Sequence, residues 1–261
     1  MTDFTVIIPA RHASTRLARK MLADLGGKPL VIHAADRARE SGAQEVIIAT
    51  DHAEIAAAAK QYGHTAVLTH GGHASGTDRI AEVAAQRNYP DDHIVVNVQG
   101  DEPLIPPTVI HAVAQNLAGH AIAAVSTACC RIEDAHEFAN PAIVKVALDR
   151  DGYALYFSRA PIPYPRDAWA NASPLAPHAS LPAGLPAYRH IGIYGFRAGF
   201  LRSYAQLTPS PLEKFESLEQ LRVLWHGHRI SVVVTADAPP PGVDTAHDLE
   251  RVRAAITVMR P

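Results

Sequence analysis

The stretch Ile7–Lys20 reads IIPARHASTRLARK, and from Arg11 to Lys28 five cations (Arg11, Arg16, Arg19, Lys20, Lys28) face one acid, Asp24. A basic cluster directly after an apolar run suits a polyphosphate. Guanidinium forks match phosphate oxygens bidentately, and lysine adds a point charge. Ser14 and Thr15 add hydroxyl donors. The loop is neither GxGxxG nor GxxxxGK[ST], so a nicotinamide-type site and a P-loop are both disfavoured. A second set of residues is acidic. Asp101 follows the apolar run of VVNVQGDEPL, with Gly100 to turn the backbone, and Asp244 stands in PPGVDT. Each has a plain structural use, Asp101 in a turn and Asp244 as the N-cap of a last helix. Beside a polyphosphate loop, however, two carboxylates suggest Mg²⁺, which takes one or two carboxylates plus substrate phosphates. The pair therefore points to a metal-bridged nucleotide.

These residues need elements to position them. Phe4–Ala10, Glu45–Thr50, Thr65–Thr69, His93–Gln99 and Ala123–Thr127 are short and rich in β-branched residues on both faces, as in a buried parallel sheet. Helical patterns separate them. Pro29 opens LVIHAADRARESG, Asp51–Glu54 resembles a capping box for EIAAAAKQYG, and Pro107 opens a helix with Val109, Val113 and Leu117 on one stripe. Strands alternating with helices predict a doubly wound α/β sheet, whose ligands bind at the carboxyl ends of the strands. The basic loop after the first strand is at such an end.

The alternation changes after about residue 130. Strands are expected at Ile143–Asp149, Ala154–Arg159 and Arg189–Arg197, with the Pro-, Ala- and Ser-rich WANASPLAPHASLPAGLPA between the last two. Leu212–His226 reads as one helix, Arg229–Ala236 as a strand and Asp248–Val258 as a closing helix. His190 and Tyr194, four apart in a strand, share a face. Glu213, Glu216 and Gln220 share one face of the 212–226 helix. The expected organisation is a single domain over 1–261, with about 131–197 forming a smaller lobe near a subunit contact.

Bulk properties exclude several classes. With 261 residues and 48% hydrophobic content the chain can bury one substantial core. A net charge of −2 leaves no basic footprint for nucleic acid. The apolar runs are too short to span a membrane, and no basic leader precedes the first one, so a cytoplasmic protein is expected. The two cysteines, Cys129 and Cys130, are adjacent, which suits two reduced, partly buried thiols. His64, His70 and His73 lack ligand spacing and are expected at the surface.

The phrases IIPARHASTRL, GGKPL, ATDH, SGTDR, VNVQGDEP, GYALYFSRAPIP, RHIGIYGFR, SPLEKFESLEQLRVLWHG and GVDTAHDLERVR occur in this order along nearly the whole chain. In them the sequence resembles the 3-deoxy-manno-octulosonate cytidylyltransferase (CMP-KDO synthetase) family. That resemblance implies a Rossmann-like doubly wound mixed sheet of the nucleotide-diphospho-sugar transferase type, with a smaller lobe from an insertion. It also implies a Mg²⁺-dependent, cytoplasmic homodimer that joins CTP to the sugar acid KDO for lipopolysaccharide biosynthesis, releasing pyrophosphate. Carried over, Arg11, Ser14, Arg16 and Lys20 hold the triphosphate, and Ser75 and Arg79 border the cytosine. Gln99 and Asp101 face nucleotide, metal and sugar. Arg159, His190, Tyr194, Glu216 and Gln220 shape the sugar-acid pocket, and Asp244 is the second metal carboxylate. The family usually reads RLPGKPL where this chain has Arg16 to Leu22 as RLARKML, and tends to carry glutamine where this chain has Ala74. Two other readings stay open: a cytidylyltransferase for another sugar acid, such as a sialic or amino-substituted acid, and a catalytically dead nucleotide-binding homologue. An NAD-dependent oxidoreductase is opposed by the missing glycine fingerprint.

Overall fold

The computed structural model describes residues 2–14, 17–73, 75–170, 180–236 and 238–259. The chain runs through β1 (Phe4–Ala10), a turn of 3-10 helix (Lys20–Leu22), two-residue strands β2 (Asp24–Leu25) and β3 (Lys28–Pro29), and α1 (Leu30–Glu40). Then come β4 (Glu45–Thr50), α2 (Ala53–Gln61), β5 (Thr65–Leu68), α3 (Gly76–Gln86), β6 (Ile94–Asn97) and α4 (Pro107–Gly119). They are followed by β7 (Ala123–Arg131), α5 (Ala135–Ala139), β8 (Lys145–Leu148), β9 (Ala154–Ser158) and β10 (Tyr188–Arg197). The chain closes with α6 (Ala198–Tyr204), α7 (Pro211–Glu216), α8 (Gln220–Trp225), β11 (Arg229–Thr235) and α9 (Ala246–Met259).

Among the described residues nine strands form one sheet, in the order β11-β7-β10-β6-β1-β4-β5, with β8 and β9 branching from β10. β1 is parallel to both neighbours, β4 and β6, and every residue of it is buried. A strand covered on both faces has no polar side to show, which is why FTVIIPA does not alternate. β10 enters antiparallel between β6 and β7, so the sheet is mixed. Two apolar layers flank it. Residues of α1, α2 and α4 pack on one face, and those of α3, α6 and α8 on the other. The chain builds β4 and β5 on one side of β1 and then crosses to lay β6 on the other. That reversal opens a crevice at the carboxyl ends of β1 and β6, the topological switch point at which doubly wound sheets bind ligands.

Several local expectations are corrected. The cap of α2 is His52, whose ring accepts the Glu54 N–H, and not Asp51. The Asp51 carboxylate is taken by the His12 N–H and the Arg79 guanidinium. The single helix expected over Leu212–His226 is broken between α7 and α8, where Ser217 adopts a left-handed conformation at φ 52°. Glu213, Glu216 and Gln220 are therefore not on one helix face. Glu213 closes a capping box with Ser210 and pairs with Arg222, while Glu216 reaches Ser158. His64 is buried rather than at the surface, its Nε2 bonded 3.0 Å from Asp36 Oδ1. α3 and α6 were not expected, and the 143–149 strand shortens to β8. Both cysteines are buried, and burial pushes the Cys129 thiol up to about 12. Much of the Pro-rich stretch lies outside the described residues. Next to it, Ile132, Phe138, Trp169 and Ala187 make a small apolar cluster of their own.

Candidate active site

The crevice at the switch point is a cleft of about 300 Å³. The loop after β1 supplies Arg11, Ser14 and Lys20, and the turn after β6 supplies Gln99 and Asp101. Ser75, Gly76 and Arg79 enter from the start of α3, and Asp244 from the segment before α9. Arg16 lies outside the described residues. Thus eight of the nine residues expected around the nucleotide and metal are brought to one cavity by four separate chain segments.

Lys20 is the hub. Its side chain is mostly buried, and its Nζ donates to Asp101 Oδ2 at 2.6 Å and to Asp244 Oδ1 at 3.1 Å. The two carboxylates, 143 residues apart in sequence (244 − 101), thus converge on one positive centre. Hard oxygen donors arranged around a cation in this way suit a divalent metal. The last helix does not need Asp244 as its cap. Thr245 Oγ1 accepts the Asp248 N–H, and the Asp248 carboxylate accepts the backbone N–H groups of Asp244 and Thr245. The Thr245 hydroxyl, donating to the same carboxylate at 2.8 Å, and those two backbone N–H groups hold Asp248 down to about 2, and the Asp244 side chain faces the cleft. The preceding backbone is pressed against the Asp101 turn, with the Val243 N–H donating to the Asp101 carbonyl at 2.8 Å. A Cβ on Gly242 would stand 2.9 Å from that carbonyl, so only glycine allows the approach.

Arg19 stands where the family pattern has glycine, and its φ is 53°. A side chain in the left-handed region costs about 1–2 kcal/mol. Its guanidinium pairs with Glu54 at the start of α2, which ties the altered loop down. Arg79 is 4% exposed and holds Thr69 and Asp51, so it braces the base of the cleft from within. Ser75 closes a capping box with Asp78 and opens α3 into the cavity.

Of the residues expected at the sugar acid, Gln99 lines this cleft, whereas Arg159, His190, Tyr194, Glu216 and Gln220 do not. Tyr194 and Gln220 border a small apolar pocket beside it, and His190 borders a separate, mostly polar one under the segment 238–242. His190 and Tyr194 do share a face, with ring centroids 5.5 Å apart, although a bulge interrupts β10 between Ile191 and Tyr194. The Thr127 hydroxyl sits in that bulge, donating to the Ile193 carbonyl at 2.7 Å and accepting from His190 Nε2 at 2.9 Å. Arg159 is anchored, its Nε donating to the Glu216 carbonyl and its terminal nitrogen to the Pro141 carbonyl. Glu216 in turn accepts from Ser158 Oγ and the Arg159 N–H. Gln220 is 6% exposed, and its Nε2 is buried without a hydrogen-bond partner.

Burial pushes His190 down from 6.5 to about 3. Between those values the unfolded chain binds a proton that the folded chain refuses, so stability falls as pH is lowered through the window. Urea midpoints from about pH 6.5 to pH 4.5 are expected to drop less for His190→Gln than for the native protein; equal drops would remove His190 as the cause.

Two further residues escaped the sequence reading. Glu219 lines the cleft together with His73. Only the break at Ser217 turns it there, and counting along one continuous helix puts it elsewhere. Glu102, next to Asp101, is pushed up to about 8 by burial and by its neighbour's charge. The sequence shows the adjacency but not the burial.

A doubly wound sheet with a cationic, carboxylate-lined cleft at its switch point defines a nucleotidyltransferase. The family model for cytidylyltransferases matches residues 5–230. A solved structure of CMP:2-keto-3-deoxy-manno-octonic acid synthetase complexed with CTP is 39% identical, with a TM-score of 0.87 over 99% of this chain and 100% of that one. A cytidylyltransferase from Leptospira borgpetersenii serovar Hardjo-bovis (strain JB197) shares 16% identity and a TM-score of 0.60, over 100% of this chain and 89% of that one, a likeness of fold alone. The chain belongs to the cytidylyltransferase family, among the CMP-KDO synthetases.

Proposed function

We propose that this enzyme transfers the cytidylyl group of CTP to KDO, giving CMP-KDO and pyrophosphate for lipopolysaccharide biosynthesis. The observation that carries this is the meeting of Lys20, Asp101 and Asp244 in the switch-point cleft of a chain similar throughout to a CTP-bound synthetase. Arg11, Ser14, Arg16 and Lys20 hold the triphosphate, with Ser75 and Arg79 toward the cytosine. Gln99 lies between nucleotide and sugar. Arg159, His190, Tyr194, Glu216 and Gln220 are assigned to the sugar acid, with Arg159 and Glu216 shaping that wall through their mutual bonds. The cofactor is Mg²⁺, held by Asp101 and Asp244; when bound it neutralises phosphate charge and polarises the α-phosphate.

The chain's own part is positioning and charge, which phosphoryl-type displacement needs more than covalent help. The anomeric hydroxyl of the sugar attacks the α-phosphate and pyrophosphate leaves. Lys20 exchanges its carboxylate partners for phosphate oxygens as CTP enters, and with Arg11 and Arg16 it stabilises the leaving group. No thiol takes part, because Cys129 and Cys130 are buried in the sheet. No helix among the described residues is long and apolar enough to cross a membrane, and we place the enzyme in the cytoplasm. We assign the 131–197 region to a smaller lobe of a single domain, beside a homodimer contact. Its separate apolar cluster and the exposed Leu155 and Tyr164 support that assignment.

The test is pyrophosphate release from CTP and Mg²⁺ with KDO or N-acetylneuraminate as acceptor. Release with KDO alone is expected. Release with N-acetylneuraminate alone would overturn the acceptor, and silence with both would overturn the activity.

A further inference from the structure

We propose that His12, His52 and Glu54 form a binding site for a divalent transition-metal ion of the Zn²⁺ type, separate from the Asp101–Asp244 pair. Among the described residues, this is the one group of three such side chains whose ligating atoms all lie within 4.8 Å of one another. The residues come from two elements. His12 belongs to the phosphate loop after β1, and His52 and Glu54 form the cap and first turn of α2. Three observations support a cation here.

His12 Nε2 is buried and has no hydrogen-bond partner, so a ring nitrogen is withdrawn from water with nothing to bind. The His12 and His52 rings lie stacked, with centroids 3.7 Å apart and planes 12° from parallel, so two nitrogen donors already sit side by side. The Glu54 carboxylate already holds a cation, the Arg19 guanidinium. Two imidazoles and a carboxylate, with water as the fourth ligand, make a familiar tetrahedral donor set for zinc. The nitrogen donors select Zn²⁺, Cu²⁺ or Ni²⁺ over Mg²⁺, which keeps to oxygen.

Ligation has specific local costs. Face-to-face rings must splay so that their nitrogens converge, and His12 Nε2 has no hydrogen bond to lose in doing so. The Glu54 N–H contact to His52 Nδ1 is a long one at 3.3 Å, so ligation through either nitrogen of that ring costs little. Glu54 exchanges Arg19 for the metal. The His12 N–H bond to Asp51 at 3.1 Å is untouched, so the backbone there stays in place. A bound ion would fasten the phosphate loop to α2 and release Arg19 from Glu54.

The experiment uses full-length protein stripped with chelator and held in excess Mg²⁺, so that the Asp101–Asp244 pair is supplied with its own ion. Zn²⁺ affinity is read by competition with a chromophoric chelator, and Cu²⁺ is added for electron paramagnetic resonance. The expected result is one equivalent of Zn²⁺ and a Cu²⁺ spectrum with two nitrogen ligands. His12→Tyr keeps a ring over His52 and is expected to weaken Zn²⁺ binding at least tenfold and to leave one nitrogen. Glu54→Gln removes the carboxylate charge, which also holds Arg19, and is expected to weaken binding while keeping both nitrogens. The proposal is overturned by no stoichiometric Zn²⁺ uptake, or by unchanged affinity and nitrogen count in the variants, which would assign the ion to other histidines.

Discussion

Asp101→Asn is expected to lower the rate of pyrophosphate release by about a thousandfold or more, the scale on which losing a charge-stabilising group at a phosphoryl centre acts. The amide keeps the size of the carboxylate but loses the charge that faces Lys20 at 2.6 Å. The fold is expected to survive. The Asp101 carbonyl, which anchors the Val243 N–H, is untouched, and Asp244 stays 3.1 Å from Lys20. Asp244→Asn is expected to behave alike, because Thr245 accepts the Asp248 N–H at the start of α9. Steady-state rates with saturating CTP and KDO, set beside thermal melting curves, check this. Near-normal turnover in both folded variants would sink the assignment of these carboxylates.

The second large effect is expected from Lys20→Met. Methionine keeps an unbranched stem in a position that is 8% exposed but removes the ammonium. Losing one phosphate contact is expected to cost about 10²–10³ in kcat, and the CTP KM should rise with it. The same change removes the ammonium that Asp101 and Asp244 share. Half-exposed Asp244 can be hydrated, so the penalty in folding stability is well below that of a fully buried broken pair. The Mg²⁺ concentration giving half-maximal residual activity should fall, because no ammonium competes for the carboxylates. A higher Mg²⁺ requirement would contradict Lys20 as their resident counter-ion.

The alternation of buried apolar runs with helical stripes was enough to reveal the doubly wound sheet, because β1, β4 and β6 have no solvated face to disguise them. The convergence of the residues expected around the nucleotide was legible for a related reason. Arg11, Ser14 and Lys20 lie together in one loop, Gln99 and Asp101 in one turn, and Ser75 and Arg79 in one helix start, so local sequence already groups them. Most of the sugar-acid residues are scattered from the end of β9 through β10, α7 and α8. Their grouping rests on the resemblance. The structure sets Tyr194 and Gln220 in one pocket beside the cleft and His190 in another, and bonds Arg159 to Glu216.

The sequence by itself determined the strand-loop pattern, the basic loop and the chemistry its residue types permit, since these depend on near neighbours along the chain. It could not show that Ser217 breaks a helix and turns Glu219 to the cleft, because a left-handed serine has no local signature. It could not show which residue caps α2, because Asp51 is claimed by Arg79 from another element. Least of all could it show Asp244 beside Asp101. That meeting needs Val243, with Leu249 and Val252 of α9, to pack on Leu25 and Leu30, and needs Gly242 to lie on the Asp101 carbonyl. Burial of apolar surface between distant segments decides such contacts, and only the folded chain brings those segments together.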